Sequence, residues 1–190
     1  FVRNNESEKK KVKEENGYIY EIEPWGRLVR SRPDAHFSET LEVPIPPGTD
    51  PESVEFDDPL LEARYSGDRQ MNEFDKMLQG EGSGHCPFGK TGGPYLRSTF
   101  VRGESQFLMD MAGDVPLAKT IADKVADHLM TIGVEILKRW DLQNTGIWIY
   151  DDMAFNAGPM FSPKTFEQVL LPAYRRMIRA YREAGAKYVF

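Results

Sequence analysis

The chain has 190 residues, 40% of them hydrophobic, which is enough to bury one sizeable core. Its formal net charge of -6 argues against a nucleic-acid binder, which carries a basic excess. A single cysteine, Cys86, excludes an internal disulfide framework, and every apolar run falls far short of the roughly 18 residues of a spanning helix. A soluble cytoplasmic protein is the expectation. The sequence starts at Phe1 and stops inside the apolar run Tyr188-Val189-Phe190, so residues 1–190 read as one incomplete domain of a larger protein.

In chain order, residues 6–15 are dense in charge and read as a solvated connector or a short exposed helix. Residues 17–32 read as a β-hairpin. Tyr18, Tyr20 and Ile22 alternate with Ile19, Glu21 and Glu23, Pro24-Trp25-Gly26 supplies the turn, and Leu28 and Val29 return. Trp25 is read as covering a core edge rather than stacking on a ligand. Residues 32–59 are rich in Pro, Gly and Asp and predict a long irregular excursion lining a site or an interface. Within it His36 reads as a surface histidine, and Asp57-Asp58-Pro59 as a cap for the next segment. Hairpin and excursion together occupy residues 17–60.

Residues 68–78 predict a helix, with Met71, Phe74, Met77 and Leu78 at helical spacing and Gly80 beyond its end. A glycine-rich stretch follows, and from Gly84 to Thr91 it spells the phosphate-loop pattern G-HCPF-G-K-T. No apolar strand precedes it, and Gly92-Gly93-Pro94 is a poor helix start, so nucleotide binding is disfavoured. His85 and Cys86 have no second partner at zinc-like spacing, and His85 is read as facing a substrate pocket.

Residues 104–112 predict a short helix with Phe107, Leu108 and Met111 inward. Asp114 caps a long one, with Pro116 in its first turn and a stripe of Leu117, Ile121, Val125, Leu129, Ile132, Ile136 and Trp140. His128, beside this stripe, reads as structural. Ile147-Trp148-Ile149-Tyr150 has the composition of a strand buried on both faces, and it ends in Asp151 and Asp152. After a loop, Ser162-Pro163 opens a helix that runs to about Gly185 and bends at Pro172. Residues 187–190 open another strand. Helices alternating with strands are the rhythm of a parallel α/β fold, whose ligands sit at the C-terminal ends of the strands.

That places the candidate catalytic residues at the strand tip. Adjacent carboxylates raise one another's pKa, which suits acid–base work. One of the pair is expected to cap the following loop through backbone amides, and Asp152 rather than Asp151 is assigned the chemistry. Phe155 and Asn156 would line the pocket. Arg97 and Arg102 would either meet anionic groups or form ion pairs inside the fold.

The stretch GPYLRSTFVRGESQFLMDMAGDVP with its long amphipathic helix, then IWIYDDMAFNAGPMFSPKTFEQVLLPAYRRMI and GAKYVF, resembles the uroporphyrinogen decarboxylase superfamily. The GYIYEIEPWGRLVRSR hairpin and its proline-rich continuation resemble the methyltransferase-like and uncharacterised branch. The resemblance implies a (β/α)8 TIM barrel carrying an inserted β-hairpin and long loop, with residues 93–190 as barrel βα units. A barrel typically needs about 250 residues, so this chain would be part of one. The resemblance also implies corrinoid-linked methyl transfer to or from a small substrate. The alternatives are decarboxylation of porphyrinogen acetate side chains and a noncatalytic barrel-fold binding subunit. A small-molecule or tetrapyrrole substrate and a corrinoid protein are the implied partners, a homo-oligomer is allowed, and neither nucleic acid nor membrane is expected. Zinc would be held by a His-x-Cys pair beyond Phe190, with no metal ligand inside this chain.

Overall fold

The computed structural model describes residues 9–65 and 86–190. The predicted helix over residues 68–78 and His85 lie outside them. The described residues form a mixed α/β fold with a four-stranded antiparallel sheet, a three-stranded parallel sheet and a two-stranded antiparallel hairpin.

The hairpin predicted over residues 17–32 forms, with β2 (Tyr18–Ile22) antiparallel to β3 (Leu28–Ser31) and Ile22 opposite Leu28. It is the middle of a four-stranded sheet ordered β1-β2-β3-β4. Residues 10–15 are neither connector nor helix: β1 (Lys10–Glu15) pairs with β2 although every residue in it is exposed. The reason lies in the two residues after it. Asn16 and Gly17 both take positive φ, 53° and 77°, the conformation of a two-residue hairpin turn whose twist suits the flanking strands. The excursion is likewise less irregular than predicted, because β4 (Glu39–Glu42) adds to β3. Asp58 does cap locally, its Oδ1 accepting the Leu60 amide at 2.8 Å. His36 is exposed.

Trp25 turns inward and is buried, edge-on to both Phe56 and His128 at centroid distances of 5.9 Å. His128 is buried too. Its Nε2 lies 3.5 Å from Asp57 Oδ1, and the Asp57 carboxylate is engaged by Arg64 at 2.7 Å. Burial first, and then the Arg64 guanidinium, push the His128 pKa down to about 4 from 6.5, with Asp58 opposing. The folded state therefore holds His128 neutral while the unfolded chain protonates it below 6.5, so stability is complete above pH 6.5 and declines as pH falls toward 4. Between pH 7 and 5 the expected loss is about 2 kcal/mol. Urea unfolding of the wild type and His128→Leu across that window checks this, and equal pH slopes would refute it.

The second sheet is parallel and ordered β5-β6-β9. Strand β5 (Gly89–Gly92) leads through α1 (Pro94–Arg102), α2 (Glu104–Gly113) and α3 (Val115–Arg139) to β6 (Gly146–Tyr150). A small hairpin of β7 (Ala154–Phe155) and β8 (Gly158–Pro159) follows. Then α4 (Pro163–Val169) and α5 (Leu171–Glu183) lead to β9 (Tyr188–Val189). The Gly89-Lys90-Thr91 of the phosphate-loop spelling is thus a strand and not a loop. Its glycine answers to packing: a Cβ on Gly89 would lie 2.8 Å from the Ile136 side chain of α3. On β6, Gly146 (φ 142°) lets the β9 backbone approach so closely that a Cβ would overlap Tyr188 O.

Capping follows the sequence. Asp114 accepts the Leu117 amide at the start of α3, and Ser162 accepts the Thr165 amide at the start of α4. The last predicted helix is two helices, broken at Leu170, with Pro172 in the first turn of α5. A proline there costs nothing, because that amide has no partner within a new helix. Tyr95, Phe107, Ile121, Val125, Leu129, Ile147, Met177 and Tyr181 are buried in one continuous core.

Strand β6 is not covered on both faces. Ile147 is fully buried against the helices, whereas Trp148 is 53% and Tyr150 42% exposed, because the described helices cover one face only. The described residues do not close into a barrel, and none of their helices is long and apolar enough to cross a membrane.

Candidate functional site

The parallel register sets the C-terminal end of β5 beside that of β6, with Gly92 opposite Tyr150. The chain leaves β5 through Gly93, which donates its amide to Tyr150 O at 2.6 Å, and enters α1 at Pro94. Gly93 has no side chain to cap this helix. Asp151 supplies the cap from the other strand: Oδ2 accepts the Tyr95 amide at 2.9 Å and Oδ1 the Leu96 amide at 2.6 Å. These are the first free donors of α1, because Pro94 has none, and the positive end of the helix dipole favours an anion there. Tyr174 on α5 adds a third donor, its hydroxyl 2.5 Å from Oδ2.

Electrostatically the carboxylate is held between opposing effects. Burial pushes the Asp151 pKa up, while the Tyr174 hydroxyl and the Leu96, Tyr95 and Asp152 amides pull it down. Tyr174 is pushed up in turn, by burial and then by the Asp151 charge. Burial also carries Tyr95 up to about 12, with Glu104, Asp151 and Asp152 adding to it.

One carboxylate of the pair caps backbone amides, as expected, but those amides belong to α1, some 55 residues earlier, and not to the following loop. Asp152, in contrast, is exposed. Next to it the chain folds back on itself, with Met160 N donating to Met153 O at 3.0 Å, and raises the β7–β8 hairpin. The base of this hairpin sits on two tyrosines: Tyr95 donates to the Met160 sulfur at 3.0 Å, and Tyr174 lies 3.9 Å from that of Met153. Phe155 and Asn156 are at its exposed end, so they flank the acidic tip instead of forming a closed wall. The uncovered face of the sheet continues from the tip as Tyr150, Trp148 and Phe190, with the Lys90 ammonium 4.8 Å from the Tyr150 ring.

The arginines are otherwise engaged. Arg97 lies over the Phe100 ring at 5.0 Å, and Arg102 is buried in an ion pair with Asp110 at 2.6 Å. Neither is brought to Asp152 by any described contact, and ion pairing within the fold is the outcome for Arg102. Cys86 is exposed just before β5. An open groove of roughly 700 Å³ lies elsewhere, between β4 and the start of α2, lined by Leu41, Val43, Pro46 and Glu104. Among the described residues no group of three or more His, Cys, Asp or Glu side chains is placed to hold a metal ion.

Gly93, Tyr95 and Tyr174 belong to the site and carried no signal in the sequence. Gly92-Gly93-Pro94 does start a helix, against the sequence expectation, because Pro94 stands at the first position of α1, where its missing amide has no partner to lose, and nothing local tells that the cap comes from a strand across the sheet. A comparison with protein-family models, with curated proteins and with solved structures finds no match.

Proposed function

We propose that this chain is part of a (β/α)8-barrel enzyme of the uroporphyrinogen decarboxylase type, and that it transfers a methyl group from a corrinoid carrier to a small acceptor. One observation carries this reading: an exposed carboxylate, Asp152, stands at the C-terminal end of the central parallel strand, beside a second carboxylate already committed to the fold. That is where a barrel or open α/β sheet presents its reacting groups. The uncovered aromatic face next to the tip agrees with a parallel sheet that is covered on both sides in its full setting.

In this reading Asp152 takes the proton of a thiol acceptor. A methylated corrinoid, when bound, would supply the methyl group and keep the electron pair of its cobalt–carbon bond as the thiol sulfur bonds to the methyl carbon. The described residues do not fit a zinc site, because Asp151 is filled by its donors and no ligand group converges on Asp152.

The test is anaerobic incubation of the native protein with methylcobalamin and 2-mercaptoethanol, following cob(I)alamin by absorbance. Transfer above the uncatalysed background is expected, and its absence would refute the reading. Asp152→Asn is expected to fold normally, because the side chain is exposed, and to lower kcat about 10²- to 10⁴-fold. An unchanged kcat would remove Asp152 from the chemistry.

A further inference from the structure

We propose that Tyr174 is a positioning residue: its hydroxyl locks the Asp151 carboxylate onto the amino end of α1, and this sets how Asp152 presents its own carboxylate. The inference rests on the assignment of Asp152 as the acid–base group.

Three elements meet at Asp151. Strand β6 brings the carboxylate, α1 brings the Tyr95 and Leu96 amides, and α5 brings the Tyr174 hydroxyl. The contact is built to close tolerance, since a Cβ on Gly93 would lie 2.3 Å from Asp151 Oδ2 and 2.4 Å from its Cγ. Any other residue at 93 would expel the carboxylate. The Gly93 amide bonds to Tyr150 O, so α1 grips the strand through the carbonyl before Asp151 and through the Asp151 side chain.

The link to Asp152 is direct. Asp151 and Asp152 share one peptide bond, so the held Asp151 side chain fixes the peptide plane from which Asp152 projects. Of the donors to Asp151, Tyr174 is the one that is a side chain. The others are backbone amides, which keep their places whatever the side chains. Tyr174 itself is placed by the break at Leu170: its amide bonds to Leu170 O in the first turn of α5, and its ring lies 5.9 Å from that of Phe166. Local helix chemistry around Pro172 thereby reaches the acidic tip.

The experiment compares the native protein with Tyr174→Phe. Hydrogen exchange at the Tyr95 and Leu96 amides is expected to quicken about five- to tenfold. In the methylcobalamin assay kcat is expected to fall about tenfold with KM for the thiol unchanged, and the Asp152 backbone amide resonance should move. Unchanged exchange would overturn the lock, and faster exchange with an unmoved Asp152 amide resonance would overturn the positioning role. Should the wild type transfer no methyl group, the proposed reaction fails, while exchange and the Asp152 amide resonance still decide the role of Tyr174. A wild-type measurement covers the case of a variant that does not fold: an NMR cross-peak between the Tyr174 hydroxyl and the Tyr95 amide is expected, and its absence would overturn the proposal.

Discussion

Asp151→Ala is expected to lower the unfolding free energy by about 3–5 kcal/mol, one of the two largest single-residue effects anticipated for this chain. The change strips acceptors from the Tyr95 and Leu96 amides and from the Tyr174 hydroxyl in one step. A buried donor left without an acceptor costs about 1–3 kcal/mol, and the amino end of α1 also loses a favourable charge. Burial of the carboxylate works the other way, since it raises the Asp151 pKa and so penalises the ionised form. Its removal returns part of that cost, which is why the expected loss is less than three full penalties. Asp151→Asn keeps one carbonyl oxygen and is expected to lose less. Urea unfolding of both variants is the measurement, and an alanine variant within about 1 kcal/mol of wild type would show that the cap is not holding α1 to β6.

Asp110→Ala is the second. Arg102 and Asp110 are both buried, joined by Nε to Oδ2 at 2.6 Å and by a longer second bond at 3.3 Å. Gln106 donates to the same carboxylate at 2.8 Å, and Arg102 also donates to Ile45 O at 3.1 Å. Removing the acid leaves a guanidinium buried without its counter-charge, for an expected loss of about 3–5 kcal/mol. The double change Arg102→Met with Asp110→Leu removes both charges and is expected to cost far less. That contrast separates a stranded charge from lost packing, and equal losses in the two variants would refute the ion-pair account. Because Ile45 N also bonds to Val101 O, the segment around Ile45 should gain hydrogen exchange in Asp110→Ala alone.

The two buried carboxylates differ in how readily the sequence announces them. Asp110 lies eight residues from Arg102, on the next helix, and pairing inside the fold is one of two outcomes the sequence allows that arginine. Asp151 stands beside Asp152 in a run of sequence that treats them alike. Alternation along a strand sends neighbouring side chains to different surroundings, but it does not say which neighbour meets the helix. That depended on Gly93 leaving room and on the register that puts Gly92 opposite Tyr150.

By itself the sequence determined the local elements whose signals are chemical: the hairpin over residues 17–32, the α3 stripe with its Asp114 cap, the Ser162-Pro163 helix start, and the strand that ends in two acids. These follow from side-chain periodicity and from caps that act within three residues. Two further outcomes rest on equally local signals. Asn16-Gly17 turns a charged segment into β1, and Pro172 begins a new helix instead of bending an old one. Only the tertiary structure decided that a glycine-rich stretch is strand β5, because the reason is the nearness of Ile136 on a helix more than 40 residues away. It likewise decided which acid is buried, what that acid caps, and that Tyr174 meets it. Each depends on groups brought together across the sheet, and no spacing along the chain encodes such a meeting.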